Sequence, residues 1–298
     1  MSATLKANGI TLAYEIEGEE HAPCVLLIMG LGMQLVAWPD PFRHALLQAG
    51  FRVLRFDNRD AGLSSHLRGV HSPSLLWSAI KHRFGLRVRA PYTLRDMVDD
   101  TAALLAALAI ERVHVVGVSM GGMIAQGLAA HYPQRVASLT SIMSTSGARY
   151  LPQARPEITR ALLSRPDDPR DREAVVTHLM NVLRLIGSPA FPIDDLDLRL
   201  RVSRAVERSY DPAGTARQML AIVASGDRSA ELAMIRCPTL VVHGKDDPLV
   251  PVACGEDTAR KIAGARFQAI HGMGHDLPPG VVKLLIEQLV PFLKAVRN

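Results

Sequence analysis

The run Gly117-Val118-Ser119-Met120-Gly121 fits the pattern G-x-S-x-G. It follows an apolar run, Val113 to Val118, of the length of a buried strand, and precedes an apolar helical stretch, Met123 to Ala130. A serine held in a tight strand-to-helix turn projects its hydroxyl from the sheet edge, and the flanking glycines permit the close backbone approach this requires. The helix that follows aims its first amides at the same spot. A hydroxyl is a weak nucleophile until a base takes its proton, and the base needs an orienting acid, so a histidine and a carboxylate must follow. Two later segments offer them at sheet-edge positions. One is His243-Gly244-Lys245-Asp246-Asp247-Pro248-Leu249-Val250-Pro251; the other is Gly272-Met273-Gly274-His275, after the short run Phe267 to Ile270. The chain order Ser, Asp, His differs from those of the chymotrypsin and subtilisin arrangements.

The elements that must position these residues alternate along the chain. Thr11 to Ile16, after a turn at Asn8-Gly9, reads as the second arm of a hairpin. Val25 to Met29, Val53 to Phe56, Val113 to Val118, Ala137 to Met143 and Thr239 to His243 are apolar runs of the length of strands buried on both faces, with helical periods between several of them. That pattern predicts an α/β fold built on a mostly parallel sheet with flanking helices. Thr93 to Ala109 reads as a helix, opened by a capping box of Thr93 and Asp96. The last helix is expected from Val281 to Val290, stopping before Pro291.

The rhythm breaks between Gly147 and Arg236, where Pro stands at 152, 156, 166, 169, 189, 192 and 212 and helical pieces (Glu173 to Ile186, Leu196 to Ser209, Ala213 to Ala224) leave no strand. Residues 1–146 and 237–298 are therefore expected to form the core, with 147–236 inserted as a helical cap. Leu179, Met180 and Leu183 are apolar candidates for a pocket lining, with core packing as the commoner role of such residues.

Composition narrows the function. The chain has 298 residues, 48% of them hydrophobic, enough for one sizeable core without disulfide or metal staples. Cys24, Cys237 and Cys254 form no CxxC pair, and Cys24 and Cys237 are expected to be buried, which argues against a structural metal site. Met1 to Glu20 has no apolar leader core and no run is long enough to span a bilayer, so the expectation is a cytoplasmic protein without stable membrane insertion. Lys and Arg exceed Asp and Glu by 34 to 29, but the excess is local: Ser65 to Arg95 holds Arg68, Lys81, Arg83, Arg87, Arg89 and Arg95 and no acidic residue. Aromatics are sparse at 5%, so no nucleic-acid partner is expected. The basic stretch also carries Leu76, Ile80 and Phe84 at helical spacing beside Trp77, which reads as a surface excursion or as a basic, amphipathic lip. No Walker or dinucleotide glycine pattern opens a helix, and no cofactor is implied.

On these motifs the chain resembles the α/β-hydrolase fold superfamily over Val25 to Met143 and Thr239 to about Val290. The family's G-x-x-D-x-x-x-P loop selects Asp247 as the acid, leaving Asp246 as a turn residue. Its late Gly-His selects His275 as the base over His271, while His243, His114 and His131 match no motif. The family's other place for the acid, Ser141 to Gly147, holds no Asp or Glu. The oxyanion donors implied are the backbone amides of Met120 and, in Met29-Gly30-Leu31-Gly32 where the family usually has His-Gly, of Leu31. Asp57-Asn58-Arg59-Asp60-Ala61-Gly62-Leu63-Ser64 resembles the D-x-R-G-x-G-x-S loop with Asp60 in place of a glycine, and is expected to brace the site through Asp57 and Arg59. The Met-Gly and Asp-x-Arg-Asp variants are similar to the bacterial serine esterase subgroup that includes aclacinomycin methylesterase. The resemblance implies a serine hydrolase acting on a small-molecule carboxylic ester through Ser119, His275 and Asp247. The alternatives are the same three residues used for C–C, amide or iminopeptidase, or acyltransfer and perhydrolase chemistry, and a ligand receptor on the same fold.

Overall fold

All five residues of the strand Cys24–Ile28 are buried, because it lies inside a sheet covered on both faces in the computed structural model. The structure describes residues 2–70 and 72–296. Within the helix Leu75–Arg83 the side chains of Leu76, Ala79, His82 and Arg83 fall outside that description, and so do the expectations for Leu76 and Arg83.

In chain order the elements are β1 (Ala3–Ala7), β2 (Ile10–Glu17), β3 (Cys24–Ile28), α1 (Asp40–Gln48), β4 (Arg52–Phe56), α2 (Leu75–Arg83), α3 (Leu94–Ala107), β5 (Val113–Val118), α4 (Met120–His131) and β6 (Val136–Ile142). Then come α5 (Pro156–Leu163), α6 (Arg172–Ile186), α7 (Asp195–Arg208), α8 (Pro212–Ser225) and α9 (Ser229–Leu232), and finally β7 (Thr239–Gly244), α10 (Val252–Lys261), β8 (Arg266–Ile270) and α11 (Pro279–Lys294). The strands form one 8-stranded sheet in the order β1-β2-β4-β3-β5-β6-β7-β8. β2 pairs antiparallel with β1 and β4, and every other pair is parallel. Asn8 and Gly9 turn the first hairpin with φ of 48° and 77°, the left-handed values a two-residue turn of the right twist requires.

Side chains alternate across each strand, so one apolar run feeds two cores. Leu26 and Ile28 of β3 face α3 and α4 together with Leu104, Leu105 and Ile124. Val25 and Leu27 face the other way, toward Phe42 and Leu46 of α1 and Leu285 and Leu289 of α11. Thr93 and Asp96 make the expected capping box at the start of α3. α11 does not stop at Val290: it runs through Pro291 to Lys294. Proline has no N–H to give the Glu287 carbonyl, but the final turn buries Phe292 and Leu293 against the sheet, and that burial outweighs one missing hydrogen bond. Cys24 and Cys254 are buried, whereas Cys237, expected to be buried, is only partly so, packed at the edge of the core. Burial pushes the Cys24 thiol up to about 12 and that of Cys254 to about 11, which removes thiolate character.

The chain between β6 and β7 forms α5 to α9 and, among the described residues, no strand. Met180 is buried in a small core of its own with Val176, Leu198 and Val202, and Leu179 and Leu183 pack against it, so these three serve α6–α7 packing. Among the described residues no helix is long and apolar enough to cross a membrane.

His114, in β5, is buried, with Nδ1 2.8 Å from the Ser138 hydroxyl on β6 and its ring edge-on to Phe51. Burial lowers its pKa from 6.5 to about 4. The unfolded chain therefore binds a proton between those values that the folded chain refuses, and stability is full above pH 6.5 and falls as pH drops toward 4, by up to about 3 kcal/mol. In His114→Gln, urea midpoints should vary less with pH over that range than in the parent chain; parallel profiles would show that His114 does not contribute.

Candidate active site

Ser119 sits at the junction of β5 and α4 with φ 56° and ψ −120°, a conformation costly for any residue with a side chain. Three contacts hold it there. Its N–H donates to the Ile142 carbonyl at 2.9 Å, its carbonyl accepts from the Ser144 hydroxyl at 2.8 Å, and the Met123 N–H starts the α4 ladder on the same carbonyl. The turn closes only because Gly117 and Gly121 lack side chains: a Cβ on Gly117 would collide with the Gly121 carbonyl, and one on Gly121 with the Ile28 carbonyl at the end of β3.

The hydroxyl that results meets the late histidine. Ser119 Oγ lies 3.0 Å from His275 Nε2, and His275 Nδ1 lies 2.6 Å from Asp247 Oδ2. A nitrogen facing a carboxylate carries the proton, so Nδ1–H donates to Asp247 and Nε2 accepts from the serine hydroxyl. Asp247 is fully enclosed, and its Oδ1 accepts from the Leu249 and Val250 amides at 2.9 and 2.8 Å. Asp246 is instead exposed in the turn and accepts from the Gly272 N–H, while the His271 ring meets Lys245 at the surface. His243 is buried beneath this loop, donating from Nε2 to the Val250 carbonyl at 2.7 Å; burial holds its pKa below the ordinary histidine range, so it packs as a neutral ring.

The loop after β3 comes up against the serine: a Cβ on Gly30 would lie 3.2 Å from that of Ser119. In that loop the Gly32 N–H donates to the Gln218 side-chain oxygen at 2.7 Å. Met120 opens α4 directly after Ser119.

Asp57 and Arg59 brace the site as expected, and the helical insert is bound into the same brace. Asp57 accepts from the Leu35 and Leu63 amides and pairs with Arg208 of α7 at 2.7 Å. Arg59 makes a buried two-pronged pair with Asp100 and lies over the Tyr92 ring. Asp60 has φ 64°, a backbone shape that suits the glycine it replaces. Its buried carboxylate accepts from Arg217 of α8 at 2.7 and 2.8 Å and from the Tyr92 hydroxyl at 2.8 Å. Gln218, next to Arg217, also donates to the Arg59 carbonyl at 2.7 Å. On the far side, the His275 N–H donates to the Ile186 carbonyl at the end of α6, and the Gly274 N–H to the Ser188 hydroxyl, which in turn donates to Asp276. Arg208, Arg217, Gln218, Ser188 and Asp276 have no local sequence signal; only the tertiary structure brings them to the site. Among the described residues one group, Asp60, His66 and Asp211, brings three ligand-type atoms within 4.8 Å, and the Arg217 guanidinium already pairs with both carboxylates.

An eight-stranded, mostly parallel sheet with a serine on the strand-to-helix elbow and a histidine and aspartate on later loops defines a class, and the chain belongs to it. It is a member of the alpha/beta hydrolase fold family, whose pattern matches residues 23–278. It is similar to rhodomycin D methylesterase DauP of a Streptomyces species, 29% identical over 91% of each chain. It is also similar to 3-oxoadipate enol-lactonase 1 of Acinetobacter baylyi, 24% identical over 88% of this chain and 86% of that one. Among solved structures, the enol-lactonase from Burkholderia xenovorans superposes with a TM-score of 0.73 at 25% identity, covering 98% of this chain and 100% of that one.

The Asp60–Arg217 pair gives a direct test of the brace. Asp60→Gly suits the backbone but removes the two-pronged partner of a buried guanidinium, leaving it only Asp211 at 3.4 Å, so it should lower unfolding free energy by about 2 kcal/mol, and Asp60→Gly/Arg217→Leu should recover most of that. Additive losses in the two variants, measured by denaturant unfolding, would show that the residues do not act as a pair.

Proposed function

We propose that the protein is a serine hydrolase of the carboxylesterase type, cleaving small-molecule carboxylic esters through an acyl-enzyme. Ser119 is the nucleophile, His275 the base and Asp247 the acid that orients it, with the Leu31 and Met120 amides as oxyanion donors. The observation that carries this reading is the unbroken hydrogen-bond relay from Ser119 Oγ to His275 Nε2 and from Nδ1 to Asp247 Oδ2, 3.0 and 2.6 Å long. The names of the relatives support the bond type: a methylesterase opens a carboxylic ester, and a lactone is a cyclic one. The core of the enzyme is residues 1–146 and 237–298, and residues 147–236 form a cap whose α8 abuts the oxyanion loop through Gln218.

In the reaction Ser119 Oγ attacks the acyl carbon as its proton passes to His275 Nε2, and the Asp247 carboxylate stabilises the imidazolium that forms. The carbonyl oxygen becomes an oxyanion between two backbone N–H groups, each worth about two to three powers of ten in rate. Collapse expels the alcohol, which takes the proton back from His275. Water, deprotonated by the same imidazole, then attacks the acyl carbon; the acid leaves and the serine regains its proton.

Short-chain p-nitrophenyl esters test this reading. Ser119→Ala should lose at least about a thousandfold in kcat, and Asp247→Asn about 10^4-fold because the imidazole loses its tautomer lock. Asp246→Asn should stay within about twofold of the parent, since an amide oxygen still accepts from Gly272. Loss in Asp246→Asn with activity kept in Asp247→Asn would overturn the acid assignment. No turnover of any ester by the parent chain, with ligand binding retained, would replace the enzyme by a receptor.

A further inference from the structure

α2 and the segment after it are built inside out. The Ser78 side chain is buried while Trp77, Phe84 and Leu86 are 64%, 75% and 59% exposed. Trp77, Ile80 and Phe84 stand at i, i+3 and i+7, one stripe of the helix extended by a residue, and Ile80 is also exposed. Lys81, Arg87 and Arg89 are exposed around them, and Leu63 and Val70, on the preceding loop, add further exposed apolar surface. Ordinary soluble surfaces scatter such residues singly, and a contiguous set marks an interaction face. From Ser65 to Arg95 the sequence contains six basic residues and no acidic one, and α8, on which α2 packs, carries no acidic residue either.

That charge decides the occupant. A second copy placed symmetrically on this face would set its cations against the same cations with no carboxylate to pair them. An anionic lipid surface is complementary on both counts: acidic headgroups receive the Lys and Arg side chains, and the bilayer interface takes up Trp, Phe and Leu to shallow depth. Tryptophan in particular settles at the headgroup level. We propose that residues 63–70 and 72–89 form a docking face by which the protein adsorbs reversibly to anionic bilayers. The face lies beside the candidate active site. α2 packs on α8, whose Gln218 holds the Gly32 and Arg59 backbone, and Gly85 abuts the exposed Arg149, in the loop after β6 whose Ser144 hydroxyl bonds the Ser119 carbonyl.

The chain carries its own reporter, because its two tryptophans are Trp38, 1% exposed, and Trp77, 64% exposed. The full-length protein is mixed with vesicles of phosphatidylcholine alone, or of phosphatidylcholine with phosphatidylglycerol, and followed by tryptophan emission and cosedimentation. The expected result is a blue shift and sedimentation with the mixed vesicles only, both reversed by high salt. Arg87→Gln/Arg89→Gln should raise the lipid concentration for half-binding roughly thirtyfold. Trp77→Ser/Phe84→Ser should abolish sedimentation while circular dichroism and thermal unfolding match the parent. No sedimentation with either vesicle, equal binding to both, or binding unchanged in the variants would overturn the proposal. So would a dimer on size exclusion that is lost in Trp77→Ser/Phe84→Ser without any vesicle binding, which would assign the face to a second copy. None of these readouts depends on ester hydrolysis, so failure here and failure of the esterase reading are distinguishable.

Discussion

The closeness of α4 to the end of β3 is the constraint on which the rest of the carboxyl edge depends. Gly121 lies so near the Ile28 carbonyl, and Gly117 so near Gly121, that a single methyl at either position would force the helix away from the sheet. The approach obliges Ser119 to turn at positive φ, a strain of about 1 to 3 kcal/mol. That strain is offset by the buried end of β6 and the loop after it, through Ile142 and Ser144. What the strain achieves is direction: the hydroxyl points out of the sheet, within reach of a histidine 156 positions later in the chain.

The second organising element is charge. Buried ion pairs add little net stability over apolar packing, but breaking one is expensive, so they fix position more than they add strength. Asp57–Arg208 and Asp60–Arg217 do this between the sheet and two helices of the insert. The same helices hold the backbone of the loop beside Ser119 through Gln218, and the turn after α6 holds the backbone of His275 and Gly274. The insert is thus part of the scaffold that holds the loops around Ser119 and His275 in place.

Much of this was legible in the sequence, and the division has a physical basis. Local rules located β5, the hairpin at Asn8-Gly9, the capping box of α3 and the G-x-S-x-G turn, because each is set by a few adjacent residues. Counting from Gly244 to Pro251 separates Asp247 from Asp246; Asp247 lies 2.6 Å from His275 Nδ1, and Asp246 accepts from the Gly272 N–H. The end of α11 was misjudged because a local helix breaker at Pro291 is overridden by burial of Phe292 and Leu293. Cys237 is only partly buried because it lies before Pro238, outside the strand that begins at Thr239. The brace was out of reach: Asp60 and Arg217 are 157 positions apart, Gly32 and Gln218 186, and nothing in either neighbourhood announces the other. The missing loop glycine at position 60 was visible, but its reason was not.

That reason bears on how such proteins diversify. A glycine at this place would leave the loop indifferent to what lies above it, and a different set of helices could be exchanged without consulting the sheet. Asp60 ends that freedom, because its carboxylate is enclosed and needs the particular guanidinium that α8 supplies. A foreign helical segment transplanted between β6 and β7 would leave this enclosed anion with the Tyr92 hydroxyl and the Leu67 amide but no countercharge. In this chain Asp60 and Arg217 can be redesigned only together.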